Sequence, residues 1–119
     1  MIPAKIIKLK HSKQVPTKKA LWGNAKFKNC CYCEKQIPIK EVTREHLIPK
    51  SGGGTVIAAC CLECNRDKSC LLLIDWLIRL WTDKRKEADL RKERTIELRI
   101  RNVSKYLLIL YPGEFDFIF

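Results

Sequence analysis

The 119-residue sequence predicts an α+β fold: a small core of short strands held by metal and extended by C-terminal helices. Three observations predict it. Two Cys-x-x-Cys pairs, Cys30/Cys33 and Cys61/Cys64, bracket two β-prone runs. Those runs are separated by a serine and three glycines, residues 51–54. Beyond Leu62 the apolar residues change to a spacing of three and four, the signature of a helix.

In chain order, residues 1–19 are lysine-rich and carry Pro3 and Pro16. The run AKIIKLK is compatible with one short strand, and the segment as a whole is expected to be a basic arm. Residues 20–81 are expected to form the metal-held domain, and residues 82–119 a C-terminal helix and apolar tail packed on it. Ala20, Leu21, Trp22 and Phe27 predict a short helix within residues 18–27, broken near Gly23. CCYCEKQIP predicts a tight cysteine turn followed by a strand. Residues 41–48 form the next strand, ended by Pro49. The glycine loop tolerates backbone angles that other residues avoid. TVIAAC supplies the second strand of a hairpin across it.

In the helical half, Leu73, Leu77 and Leu80 share one face. Leu71, Ile74, Ile78 and Trp81 share an adjoining one, so the helix should be buried on more than one side. Thr82-Asp83 offers a break and an N-cap for a second helix. That helix carries Ile96, Ile100, Val103, Leu107 and Leu110, with Glu87/Arg91 and Glu97/Arg101 at ion-pair spacing. Pro112-Gly113 stops it. The apolar ending EFDFIF needs cover, from its own core or from a second copy in a homodimer through this helix and tail.

Composition narrows the function. At 46% apolar and 31% charged residues the chain is globular rather than disordered. Twenty-four basic against 13 acidic residues give a net charge of +11, which favours a polyanionic partner, nucleic acid ahead of an anionic membrane surface. The longest apolar run, residues 71–81, is interrupted by Asp75 and Arg79 and is too short to span a bilayer. The lysine-rich start lacks the apolar stretch of a secretory signal, so the seven cysteines are expected to be reduced, in the cytoplasm.

In that setting two Cys-x-x-Cys knuckles predict a closed tetrahedral site for structural zinc, held by Cys30, Cys33, Cys61 and Cys64. Such a site has no open position for chemistry. Cys60-x-x-x-Cys64 is an alternative pairing. Cys31, Cys60 and Cys70 are read as free thiols, with Cys70 packed in the helix.

The zinc does not account for the stretch between the knuckles, REHLIPKSGGG, which sets Glu45 beside His46, one of only two histidines. Nor does it account for Asn65, Arg66 and Lys68 directly after Cys64, at the start of a helix whose N-terminus suits phosphate. Taken together, C-x-Y-C, R-E-H-x-I-P-x-S-x-G-G and A-x-C-x-x-C-N-x-x-K resemble the zinc-binding HNH endonuclease family. The resemblance covers about residues 30–68. It implies a ββα-metal core, DNA as substrate, and a second, catalytic cation, Mg²⁺ or Mn²⁺. It implies His46 as the general base and Glu45 and Asn65 as ligands of that cation. Arg44, Lys50, Arg66 and Lys68 are expected at phosphates. The chemistry suits these residue types, because a hard cation prefers oxygen ligands. A histidine of ordinary pKa, about 6.5, is mostly neutral at pH 7 and can accept a proton.

The sequence departs from the family pattern at one place. The middle position of the signature, usually asparagine, falls at Val56, with Thr55 next to it. Two further functions stay open beside the endonuclease: a zinc-stabilised DNA-binding module without cleavage, and a protein-interaction adaptor using the apolar helix and tail.

Overall fold

Strand β5 (Val56–Cys60) is apolar throughout and buried at every position, so both of its edges need hydrogen-bond partners. The computed structural model describes residues 6–8, 16–47 and 56–115, and it places β5 at the centre of a three-stranded antiparallel sheet. On one edge lies β4 (Thr43–His46), in the register Thr43↔Cys60, Arg44↔Ala59, Glu45↔Ala58 and His46↔Ile57. The expected hairpin is therefore present, while its connecting residues 48–55 lie outside the described residues. On the other edge lies β1 (Ile6–Lys8), pairing Ile6 with Ala58 and Lys8 with Val56. The basic N-terminal segment thus contributes a strand rather than running only as an arm, because pairing covers an edge that β5 would otherwise expose.

A short helix, α1 (Lys18–Trp22), follows. Thr17 caps it by accepting from the Ala20 amide at 3.1 Å, and Gly23, at φ +61°, ends it as the sequence predicts. A second, two-stranded sheet pairs β2 (Phe27–Asn29) with β3 (Gln36–Pro38). Its connecting turn is the first cysteine knuckle, closed by the Cys30 amide donating to the Lys35 carbonyl at 2.8 Å.

The helical half differs from expectation in where it breaks. Helix α2 (Leu62–Lys68) ends at Ser69, whose left-handed backbone (φ +53°) turns its amide onto the Asn65 carbonyl. Cys70 therefore sits exposed in a turn and is not packed in a helix. Helix α3 (Leu73–Lys86) then runs straight through Thr82-Asp83. Neither residue caps anything there: Thr82 Oγ1 donates to the Ile78 carbonyl within the helix, and Asp83 pairs with Arg79 one turn back. The break falls at residues 87–89, where Asp89 accepts from the Arg91 and Lys92 amides and starts α4 (Leu90–Leu110).

Only one face of α3 is fully buried, through Leu73, Trp76, Leu77 and Leu80. The second expected face is covered only in part: Leu71 and Ile74 are half-buried against the core, while Ile78 is 61% and Trp81 44% exposed. Of the two anticipated ion pairs, Glu87 of the first lies before α4 and accepts from the Asp89 amide at 3.1 Å, and the second, Glu97/Arg101, is replaced by longer-range pairs. Glu97 meets Lys84 of α3 at 3.7 Å, and Arg101 meets Glu34 of the first knuckle. The helix stops at Tyr111, followed by Gly113 at φ +82°. Phe115 packs edge-on to Tyr111, and residues 116–119, where a homodimer contact was expected, lie outside the described residues.

The core sits where the two halves meet. Tyr32 of the first knuckle is fully buried and packs edge-on to Trp76 of α3, 4.8 Å between centroids, and to Tyr106 of α4, 6.0 Å. Two buried bonds fasten α4 to the knuckle backbone. Tyr106 Oη donates to the Cys31 carbonyl and Asn102 Nδ2 to the Tyr32 carbonyl, each at 2.7 Å. Asn102→Leu strands that carbonyl without a donor and should cost about 1–3 kcal/mol. Urea denaturation of the zinc-loaded protein measures it, and an unchanged midpoint would mean that α4 does not hold the knuckle this way.

Candidate metal centre and active site

Each knuckle is a tight turn in which a backbone amide faces a sulfur. The Tyr32 amide lies 3.4 Å from Cys30 Sγ, and the Cys64 amide 3.4 Å from Cys61 Sγ, with Cys61 serving as the N-cap of α2. The first knuckle closes with Glu34 in the left-handed region (φ +67°), where its carboxylate is held by Asn102 at 3.0 Å and by Arg101. The two turns bring Cys30, Cys33, Cys61 and Cys64 together with all four sulfurs within 4.8 Å of one another. A tetrahedral zinc with bonds of about 2.3 Å sets its sulfurs about 3.8 Å apart. The Cys33–Cys61 distance is 3.8 Å.

The electrostatics fit the same ion. Cys30 is driven well below its ordinary thiol pKa, first by the side chains of Cys31 and Cys33. Cys33 and Cys64 are driven well above theirs, each first by Cys30. Cys61 is lowered to about 3 against the opposing effect of Cys30, so two sulfurs take negative charge while Cys33 and Cys64 keep their protons. A dication lets all four deprotonate together. Cys31 and Cys60, also buried, lie beside the cluster, with Cys60 Sγ directed at the Cys61 carbonyl at 3.2 Å. The knuckle pairing that closes is thus Cys61/Cys64, not Cys60/Cys64.

The second group of residues lies on β4 and α2. Strand alternation puts Thr43 and Glu45 on the side facing α2, and Arg44 and His46 on the other. Asn65 Nδ2 donates to Thr43 Oγ1 at 2.9 Å, and Thr43 in turn donates to the Cys60 carbonyl at 2.8 Å. Glu45 is only 4% exposed and pairs through Oε1 with Lys68 Nζ at 3.3 Å, itself 1% exposed. Lys68 also donates to the His46 carbonyl at 3.3 Å. Lys68 thus directs its charge inward to Glu45 and the β4 backbone rather than outward to a phosphate. Glu45 Oε2 is buried and has no hydrogen-bond partner among the described residues. Burial raises the Glu45 pKa to about 7 against the opposing pull of Lys68. Because this folded value lies above the ordinary 4.5, the stability Glu45 contributes is full below pH 4.5 and is lost as pH rises through about 7.

The remaining expected residues are spread around this pair. His46 is half-buried at the end of β4. Arg44 is exposed and donates to the Pro16 carbonyl at 2.7 Å. Arg66 is exposed in a groove of about 880 Å³ beside Thr43, with Lys18, Lys35 and Lys40 against Glu41 and Glu63. Lys50 and Thr55 lie outside the described residues. The Val56 side chain is buried, and its carbonyl accepts the Leu47 amide at 3.0 Å, closing the hairpin beside His46. Sequence reasoning missed Thr43, which links strand, zinc knuckle and Asn65. It also missed Arg99 of α4, whose Nε donates to Cys64 Sγ at 3.1 Å. The signal for Arg99 was its place beside the apolar stripe of α4, one residue before Ile100.

Residues 30–70 match a family model described as HNH endonuclease. The matched segment holds both knuckles, Glu45-His46 and Asn65, so the resemblance drawn from those residues holds there. No curated protein and no solved structure matches the chain. No helix among the described residues is long and apolar enough to cross a membrane.

The Glu45–Lys68 pair makes a sharp prediction. Lys68→Met strips a buried carboxylate of its cation and should cost about 3–5 kcal/mol at pH 9, where Glu45 is ionised beside Lys68, and less at pH 7, where Glu45 can take a proton instead. Replacing both, Glu45→Met with Lys68→Met, should restore most of that loss, since a packed apolar pair needs no compensation. Denaturant midpoints of the four proteins in the cycle measure this, and a single-variant cost below about 1 kcal/mol would mean that the pair is not buried in solution.

Proposed function

We propose that the protein is a metal-dependent DNA endonuclease that hydrolyses phosphodiester bonds, with the four-cysteine zinc purely structural. The observation that carries this reading is Glu45 Oε2, a buried carboxylate oxygen without a partner among the described residues, on the strand face to which α2 brings Asn65. A structural zinc domain has no need of such an oxygen, and an orphaned buried acceptor is costly. Glu45 and Asn65 are the oxygen donors that would hold a divalent cation, Mg²⁺ or Mn²⁺. When bound, that cation supplies stabilisation for negative charge on the phosphate and the leaving oxygen.

The side chains of this chain do the rest. His46 accepts a proton from water at a neutral imidazole nitrogen, the water oxygen bonds to phosphorus, and the ester P–O bond breaks, its leaving oxygen taking up a proton from solvent water. Lys68 keeps the Glu45 carboxylate in register and offsets the cost of its burial. Arg44, Lys50 and Arg66 align the phosphate backbone, and the net charge of +11 draws DNA to the basic groove around Arg66. The Val56 carbonyl, which accepts the Leu47 amide next to His46, stands in for the missing asparagine by holding backbone instead of side chain.

A second reading, a zinc-stabilised DNA-binding module without cleavage, is favoured by one specific observation: the Glu45 carboxylate already has a cation, Lys68, on its other oxygen. Plasmid nicking with Mg²⁺ or Mn²⁺ separates the two. The wild type should nick, and His46→Ala should lose about a hundredfold or more in rate while keeping zinc content, fold and DNA affinity. DNA binding without nicking in either metal selects the binding module. Nicking by His46→Ala at the wild-type rate removes His46 from the mechanism.

A further inference from the structure

The zinc site does not end at its four cysteines. Arg99, Asn102 and Tyr106 stand three and four residues apart on α4, so they form one polar stripe along a single face. Each member touches a cysteine knuckle. Tyr106 and Asn102 hold the backbone of the first knuckle at the Cys31 and Tyr32 carbonyls. Arg99 reaches the second knuckle and meets a sulfur directly, with Nε donating to Cys64 Sγ at 3.1 Å. Helix α4 lies wholly outside the segment that matches the HNH family model.

We infer that Arg99 is a positioning residue of the metal centre: its guanidinium, donating Nε to Cys64 Sγ, orients that sulfur and offsets the excess negative charge of the zinc–cysteine cluster, making α4 a working part of the site. The inference rests on the metal centre alone and is independent of the cleavage reading. Four thiolates outweigh a zinc ion by two charges, and Cys64 is fully buried, so water does little to offset the excess. The Arg99 side chain is 13% exposed, in an environment where a charge-assisted hydrogen bond is strong. Two other cations described near the knuckles are more exposed and engaged with carboxylates: Lys35, 52% exposed, with Glu63, and Arg101, 66% exposed, with Glu34.

The aim of the guanidinium is fixed from behind. Arg99 Nη1 lies 3.6 Å from Asp67, and Asp67 is itself pinned by Trp76 Nε1 and by Arg79, each at 2.8 Å. A planar guanidinium can present Nε to sulfur and Nη1 to carboxylate at once, whereas an ammonium on a flexible stem cannot hold both directions. Arg99 is thereby locked between a helix that carries a zinc ligand and a core tryptophan.

The test uses the full chain. Zinc affinity is read by competition with a chromophoric chelator, and the sulfur-to-metal charge-transfer band is read after replacing zinc with Co²⁺. Arg99→Met keeps the stem and removes the donor. It should weaken zinc binding about 10–100-fold and move the Co²⁺ band to lower energy, because a thiolate without its hydrogen bond is more electron-rich. Arg99→Lys should fall between Met and wild type in both readouts. Asn102→Leu loosens the same helix without touching a sulfur and should leave the band where it is. Wild-type affinity and band position in Arg99→Met overturn the inference, as does an equal band shift in Asn102→Leu. If Arg99→Met fails to fold, Asp67→Asn decides: a smaller shift in the same direction supports the inference, and none overturns it.

Discussion

Two turns far apart in sequence must put four sulfurs within 4.8 Å of one another, and the rest of this structure is arranged around that demand. The first turn closes the β2–β3 sheet, and the second opens α2 directly after β5. Joining them joins both sheets to the helices. The hydrophobic core of so short a chain is modest, and a metal that binds only the folded arrangement adds its binding energy to folding. Tyr32, inside the first knuckle, carries the constraint into the core by packing on Trp76 and Tyr106.

Charge follows the same geometry. A cluster of buried thiolates needs cations close by, and Arg99 supplies one at Cys64 while Lys35 stands further out. The Glu45–Lys68 pair repeats the pattern on the other side of α2, with a buried carboxylate matched by a buried ammonium. Helix α2 therefore separates two polar sites inside an otherwise apolar core. It serves one through Cys64 and the other through Asn65 and Lys68. Removing either cation leaves a negative group stranded, which is why both are sensitive points for stability as well as for metal.

Much of this was legible from residue types and spacing. The cysteine pairs, the hairpin across the glycines, the α1 stop at Gly23 and the α4 stop near Pro112-Gly113 are local signals, and local chemistry decides them. The errors arose where tertiary contacts outweigh local preference. Thr82-Asp83 has the composition of a cap, yet Thr82 bonds back within α3 and Asp83 pairs with Arg79, so the helix continues to Lys86. Leu71, Ile74, Ile78 and Trp81 have the spacing of a second buried face, but only Leu71 and Ile74 reach the core, and nothing in the sequence marks where that cover ends. Glu97 and Arg101 prefer partners on α3 and the first knuckle over each other. Lys68 looked like a surface cation because lysine is rarely buried, and only the position of Glu45 across the sheet–helix gap accounts for it. Thr43 and Arg99 are ordinary residues in the sequence, made notable by what folding sets beside them.

The claim that the four-cysteine centre holds the sheets and helices together as one unit is most directly tested by amide hydrogen exchange on the zinc-loaded chain, before and after the metal is removed by a chelator. The account predicts that protection is lost together in β4, in β5 and along α4 from Arg99 to Tyr106, because α4 is fastened to the knuckles that the metal closes. Protection in β5 and α4 that survives metal removal would contradict it, showing that the apolar core alone sustains the fold.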